Sequence, residues 1–384
     1  MTSRISSSTL PLRLGTEIVR VIVEPDALGQ LPETLEACDV DAVVLVADER
    51  LWRVHSRTVT RLLGARASAI LSVGAGQHVT ALATVAAAAD QAAALAGRRR
   101  CVVGFGGGTV LKLAGALAHL LDWGSPLILV PTTLLAMVDA APSARHALTT
   151  GKRIGVVGVL HPPTAILCDP HLLATLPEVA WREGMVEALK ATLALGGRDT
   201  EELATAVAEL RPGPTGEEDV RRLVTQAITL KAWVLADDPA ERMVGLSLHY
   251  GHTFSRALEA DAGPGLRHGP AVAAGMLLAG RVAGQLGLLA AAEQEAHNAW
   301  IRRVVGTQAH PQLRALVRAA HDGGFLSVLR EDPKRRLLTG NAIPLVLLER
   351  LGSVHYPPGS PAPVTAVPPA AVAAAIAAEG AECR

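Results

Sequence analysis

Aromatic side chains are scarce in this sequence, with five Trp, two Tyr and three Phe among 384 residues. The cores must therefore be filled by small apolar residues, chiefly Ala, Leu, Val and Gly. An excess of charge of either sign is also lacking. Lys plus Arg and Asp plus Glu both number 36, so the formal net charge is zero. A nucleic-acid binder or a binder of anionic membranes carries a clear basic excess, so neither role is expected, although a local basic pocket is still allowed. Cysteine is limited to Cys38, Cys101, Cys168 and Cys383, with no CxxC pair. That usage fits free thiols in a reducing compartment and predicts a cytoplasmic protein. The N-terminal MTSRISSSTLPLRL has no apolar core of signal-peptide length. Apolar runs elsewhere are broken by Gly, Pro or charge before they could span a bilayer.

What is present is a change of pattern along the chain. In the first half, short apolar runs at 19–25, 42–48, 69–75, 101–108 and 126–133 alternate with Ala/Leu-rich helical stretches such as 78–97 and 110–122. Near-continuous apolar strands suit a sheet covered on both faces, and strand–helix alternation implies βαβ units in a mainly parallel sheet. From about residue 172 the pattern turns helical, at 178–195, 200–210, 217–236, 248–260, 270–287, 289–305 and 310–321. A single late strand is expected at 343–349, and a Pro-rich tail with a short alanine helix after it is expected from Tyr356. The expected organisation is an α/β nucleotide-binding domain over 1–171, a helical metal and substrate domain over 172–355 and a tail over 356–384. An active site is expected in the cleft between the two domains.

Two groups of residues carry chemistry. Gly104-Phe105-Gly106-Gly107-Gly108-Thr109 ends a strand and opens a helix. Glycines there allow backbone N–H groups to approach a pyrophosphate at the positive end of the helix. The same residues also read as a tight turn with no ligand, since the spacing is not GxGxxG. Asp48, at another strand end, reads either as a ribose ligand or as a helix cap. Glu187, His252 and His268 offer one carboxylate and two imidazoles, a common catalytic metal shell with a position left for substrate. Any one of these histidines reads equally as a cap or a surface residue. His249 lies three residues before His252 and shares its face if the segment is helical.

The segments GGGTVLKLAG, VPTTLLAMVDA, HPPTAILCDPHLLATLP, EGMVEALK, HYGHTFSRALE and RHGPAVAAGM stand in the order and spacing of the dehydroquinate synthase superfamily, the sugar phosphate cyclases. The resemblance runs from about residue 40 to 350. LLAMVDAAPSARHAL and GLSLHYGHT resemble the 2-deoxy-scyllo-inosose synthase branch, and FSRALE leans toward the 2-epi-5-epi-valiolone synthases. The resemblance implies a homodimer with NAD and a divalent metal, Zn2+ or Co2+. It implies metal ligation by Glu187, His252 and His268, and NAD contacts from Asp48, Gly106, Gly107, Gly108, Thr132, Thr133 and Asp139. Lys190, Lys231 and Lys334 match residues that hold an anionic sugar phosphate. The chemistry implied is transient oxidation of an alcohol, loss of phosphate, re-reduction and intramolecular aldol closure.

Several positions depart from that pattern. Lys112 stands for an Asp or Asn beside the dinucleotide. Arg145 replaces a phosphate-contacting lysine, Arg256 the second histidine of GHTxxH, and Pro270 the glutamate of HGE. The family's GKN falls on Ile154 and Gly155, with Lys152 and Arg153 two residues away. GAGQHVT at 74–80 lacks the usual acidic residue and lysine near the adenine. Trp123 stands for an arginine that crosses the dimer. Arg binds anions bidentately but does not deprotonate near neutral pH, so Arg256 cannot relay protons. Arg145, Arg256 and His249 join Lys190 and Lys231 as candidate catalytic residues, and the arginines are expected to converge on one anionic group. Three readings follow: a sugar phosphate cyclase, a metal and dinucleotide enzyme acting on another anion, or an inactive partner subunit.

Overall fold

The computed structural model describes residues 9–382 apart from 75, 151–152, 212, 214–215, 263–265 and 307–323. The chain forms two compact units: Met1–Ala180 with Gly213–Ala240, and Trp181–Pro212 with Glu241–Arg384. The division thus falls inside the helix Glu178–Leu195 rather than at residue 171. It also returns one helix from the helical half to the first unit.

In the first unit, strands β1 (Thr9–Leu14), β2 (Glu17–Val23), β3 (Ala42–Asp48), β4 (Ala67–Val73), β5 (Arg100–Gly106), β6 (Leu127–Pro131) and β9 (Ala165–Cys168) form one sheet. Their order is β1-β2-β9-β6-β5-β3-β4. All neighbours are parallel except β1 and β2. The central strands are apolar because both faces are covered. Helices α1 (Leu31–Ala37) and α2 (Glu49–Leu63) pack Leu31, Leu35, Val59 and Leu63 with Val43, Leu45, Val103 and Phe105. The alternate residue Gly104 faces the other way, toward Ala114 and Leu111 of α4 (Gly108–Leu120), beside which lies α3 (Leu82–Ala92). A separate hairpin, β7 (Arg145–Thr150) with β8 (Arg153–Leu160), packs on α4.

β3 neighbours β4 on one side and β5 on the other, so the chain direction across the sheet reverses between β3 and β5. Carboxyl ends of strands at such a reversal are where open α/β sheets bind ligands. Ala47 pairs with Phe105, which brings Asp48 and Gly106 to neighbouring strand ends.

The second unit is helical. It holds most of α5 (Glu178–Leu195), with α6 (Thr200–Glu209), α8 (His252–Ala262), α9 (His268–Gln285) and α10 (Ala291–Val305). Between α6 and α8 in sequence, α7 (Glu217–Leu235) belongs to the first unit and packs against β1 and β2. α9 is the centre of the second unit, and every residue from Gly269 to Gly280 is buried. Its small residues allow α8, α10 and the C-terminal helix Pro369–Glu382 to close around it. The late strand divides into β10 (Ile343–Leu345) and β11 (Leu348–Arg350), paired with β13 (Thr365–Val367) and β12 (Ser353–Val354). The expected tail is therefore part of this unit. The helix expected at 310–321 lies outside the described residues. No described helix is long and apolar enough to cross a membrane.

Candidate functional site

In the second unit, three elements deliver Glu187, His252 and His268 to one place. Glu187 lies mid-way along α5 with its side chain fully buried. His252 opens α8 just after Gly251, whose φ of +76° is a left-handed conformation that favours glycine. His268 opens α9. One potential ligand atom from each of the three lies within 4.8 Å of the others. Glu187 Oε1 is 2.9 Å from His268 Nε2 and 3.8 Å from His252 Nε2. The other ring nitrogens are engaged elsewhere. His268 Nδ1 is 2.8 Å from Glu259 Oε1, and His252 Nδ1 is 3.3 Å from the Tyr250 carbonyl. Such outer contacts fix ring orientation and tautomer and leave Nε2 of both rings facing the carboxylate.

Burial, aided by the charge of Lys190, pushes His252 well below its ordinary range. Burial also opposes charge on His268, but hydrogen bonds and charges from Glu187 and Glu259 outweigh it and push that ring up to about 10. One carboxylate and two imidazoles at this separation are a donor set suited to Zn2+ or Co2+. A second trio, Asp26, Asp169 and His171 in the first unit, meets the same separation. There the Asp169 carboxylate accepts the backbone N–H groups of Asp26, Leu28 and His171, as a turn cap does.

Two cations, Lys190 and Arg256, act on His252 of the first trio through their charge. Lys190 Nζ lies 2.5 Å from Glu187 Oε2, one turn along α5. Arg256 Nη1 lies 3.4 Å from Asp332 Oδ2, and the buried Lys334 Nζ lies 2.8 Å from Asp332 Oδ1. Burial pushes Lys334 down to about 8, with Arg256 acting in the same direction and Asp332 against it. Burial raises Asp332, but the two cations outweigh it and hold the carboxyl below its usual value. Glu259 is engaged by His268, and the carboxylate beside Arg256 is Asp332. His249 is nearly buried, 2.9 Å from Glu241 Oε2, and its ring stacks on His252 at 5.8 Å. Pro270 sits in the first turn of α9. Sequence reasoning missed Glu241 and Asp332. The Asp-Pro pair at 332–333, a helix-start pattern, was the available signal for Asp332.

In the first unit, Gly107 precedes α4 and gives it no side-chain cap. A Cβ on Gly104 or Gly106 would approach Ala114 or Val110 to 2.8 Å, so those two glycines serve helix–strand packing. Gly107 has more room, 3.4 Å to Thr133, and leaves the N–H groups of the helix start approachable. Thr132 N–H donates to the Gly106 carbonyl at 3.0 Å, and the buried Thr132 Oγ1 makes no hydrogen bond to the described residues. Thr133 Oγ1 accepts the Ala136 N–H and so caps a π-helical turn, Ala136–Ala140, that carries Asp139. Lys231 Nζ donates to Asp139 Oδ1 at 2.9 Å and to its carbonyl at 2.5 Å. Asp48 caps α2 through the N–H groups of Arg50 and Leu51. Lys112 lies in the second turn of α4, and Arg145 opens β7 with its N–H on Ser143 Oγ. Trp123 is fully exposed. Lys152 lies outside the described residues.

Residues 69–183 match the 3-dehydroquinate synthase N-terminal family model, and 184–322 match the C-terminal one. The chain is 34% identical over 358 residues to a 2-deoxy-scyllo-inosose synthase from Streptoalloteichus tenebrarius, covering 91% of this chain and 88% of that protein. Among solved structures, a 2-deoxy-scyllo-inosose synthase complexed with carbaglucose-6-phosphate, NAD+ and Co2+ shares the fold. Its TM-score is 0.79 at 22% identity, over 96% of this chain and 99% of that one. A 2-epi-5-epi-valiolone synthase from Streptomyces hygroscopicus subsp. jinggangensis, with NAD+ and Zn2+ bound, shares it at 0.72 and 22%, over 95% and 97%.

Proposed function

This chain belongs to the dehydroquinate synthase-like family of sugar phosphate cyclases, and from that premise we propose that it closes a sugar phosphate to a carbocycle with loss of inorganic phosphate. Glucose 6-phosphate is the first candidate substrate, after the 2-deoxy-scyllo-inosose synthases it resembles. We propose NAD and one divalent ion, Zn2+ or Co2+, as cofactors, and a homodimer as the working form. The observation that carries the reading is the trio Glu187, His252 and His268, whose ligand atoms converge within 4.8 Å.

A divalent ion supplies Lewis acidity toward a substrate oxygen, and NAD supplies reversible acceptance of one hydride. Glu187, His252 and His268 would hold the ion. For NAD, the turn at Gly106–Gly108, roomiest at Gly107, suits a pyrophosphate, Asp48 a ribose hydroxyl, and the buried Thr132 oxygen a ligand hydrogen. Lys112, Thr133 and Asp139 complete that group, with Asp139 steadied by Lys231.

The chain's other residues do the electrostatic and proton work. Arg256 and Lys334 flank Asp332, so this cluster keeps one net positive charge for an anionic group of the substrate. Arg145, at the start of β7 in the first unit, is proposed as an anion-binding residue in its own right. Arg256 does not deprotonate near neutral pH, so proton movement falls to Lys334, Lys190 and His249, the last backed by Glu241.

The test is phosphate release by the Co2+-loaded protein with NAD and glucose 6-phosphate, with sedoheptulose 7-phosphate in parallel. One equivalent of phosphate per carbocycle is expected, without accumulation of NADH. His252→Ala should abolish release, and metal analysis should show that it no longer retains Co2+. No phosphate from either sugar removes the cyclase reading.

A further inference from the structure

Beneath the metal trio lies a buried polar contact that none of the roles above uses. Tyr250, two residues before His252, has no exposed surface, and neither does His297 on α10. The Tyr250 hydroxyl oxygen is 2.8 Å from His297 Nε2 and 3.3 Å from the Met276 carbonyl oxygen on α9. His297 Nδ1 is 2.8 Å from Asn298 Oδ1. With that oxygen accepting, Nδ1 carries the ring hydrogen, and Nε2 accepts the tyrosine O–H. Burial keeps the ring neutral, pushed down to about 4.

α9 is shaped to receive both residues. A Cβ on Gly280 would stand 2.8 Å from His297 Cε1, and one on Gly275 would stand 2.2 Å from the Gly251 carbonyl oxygen. The backbone at Gly251 therefore lies directly on the helix that His268 opens. The Tyr250 carbonyl takes the Nδ1 side of His252, while the Tyr250 ring is tied to α9 and α10. One residue thus connects the orientation of one imidazole to the helix that begins with the other.

We propose that Tyr250 and His297 are positioning residues that set the orientation of His252 relative to His268 and so tune divalent-metal affinity. The proposal rests on the metal reading above. Outer contacts to metal ligands typically change affinity 10–100-fold, and this pair acts one contact further out, so an effect of about tenfold is expected. Tyr250→Phe keeps the ring and removes only the hydroxyl. His297→Leu removes the acceptor, and His297→Gln restores one.

The experiment measures Co2+ affinity by competition with a chromophoric chelator, the visible Co2+ spectrum, and the thermal midpoint of each metal-free protein. The expected result is weakened Co2+ binding and a shifted visible band for Tyr250→Phe and His297→Leu, with recovery in His297→Gln. Equal affinity and spectrum in all variants, whatever their thermal midpoints, overturns the proposal and leaves the metal reading intact. Failure of the unsubstituted protein to bind Co2+ removes both.

Discussion

Lys334 is only 2% exposed, and its ammonium shares one carboxylate with Arg256. Its ordinary value near 10.5 is brought down to about 8, which places loss of its charge within reach of an enzyme assay. If it helps hold the substrate anion, kcat/KM for a sugar phosphate should fall as pH rises through about 8. The neighbours give the prediction a sign. Arg256→Ala removes a repelling charge, so the inflection should move up in pH. The same change should lower kcat/KM by about tenfold, from loss of a charge-assisted contact. Asp332→Asn removes the attracting charge, so the inflection should move down. Profiles that respond to neither change would assign the titration to another group.

At the scale of elements, α4 shows how far the sequence could be read. β3 appeared with its observed bounds, and the glycine turn and the helix after it were expected nearly in place, because apolar runs and glycines are local signals. β1 was missed because its inner face is only Leu12 and Leu14, an alternating edge strand rather than an apolar run. The β7–β8 hairpin was missed because it lies off the main sheet and is half-exposed along β7. α7 was placed with its sequence neighbours, whereas it packs on β1 and β2 in the first unit. The candidate site was legible as a family pattern but not as contacts. Arg256 and Asp332 are 76 residues apart and Tyr250 and His297 are 47, and no periodicity joins them. Gly115 is a similar case. In sequence it is one small residue in an Ala/Leu helix, yet a Cβ there would meet the His146 ring at 2.1 Å. Gly115→Ala should therefore destabilise the first unit by about 1–3 kcal/mol despite the better helix propensity of alanine. Adding His146→Ala should cost less than it does in the parent, because the ring that clashes is gone. Denaturant midpoints of the four proteins give the coupling, and strict additivity would remove the packing account.

For the whole molecule, the response to acid follows from histidines buried as neutral rings in both units. His146 in the first and His297 in the second are each pushed down to about 4, with burial the leading cause. An unfolded chain takes up these protons near 6.5, whereas the folded chain refuses them until about 4. Stability is therefore intact above the unfolded value and lost as pH falls from 6.5 to 4, by up to about 3 kcal/mol for each ring. His252, also lowered by burial, acts in the same direction. His268 acts against it in the metal-free protein. Raised to about 10, it is already charged when folded, so falling pH favours the fold until the unfolded ring is also protonated below about 6.5. His171 is raised as well, but it is half-exposed and screened by solvent. Asp332 is held below its usual value and stays charged through the window. The two buried rings therefore outweigh these opposing groups between pH 6 and 4.5. Denaturant midpoints of the metal-free protein should fall steeply over that interval. His297→Gln keeps an acceptor for Tyr250 but has no ring to titrate, so its loss should be smaller than the parent's by up to about 3 kcal/mol. The part due to His146 should persist, since that ring lies in the other unit. An unchanged pH dependence in His297→Gln would mean that His297 already titrates normally in the folded chain. The neutral hydrogen-bonded state assigned to it beneath the metal trio would then be wrong.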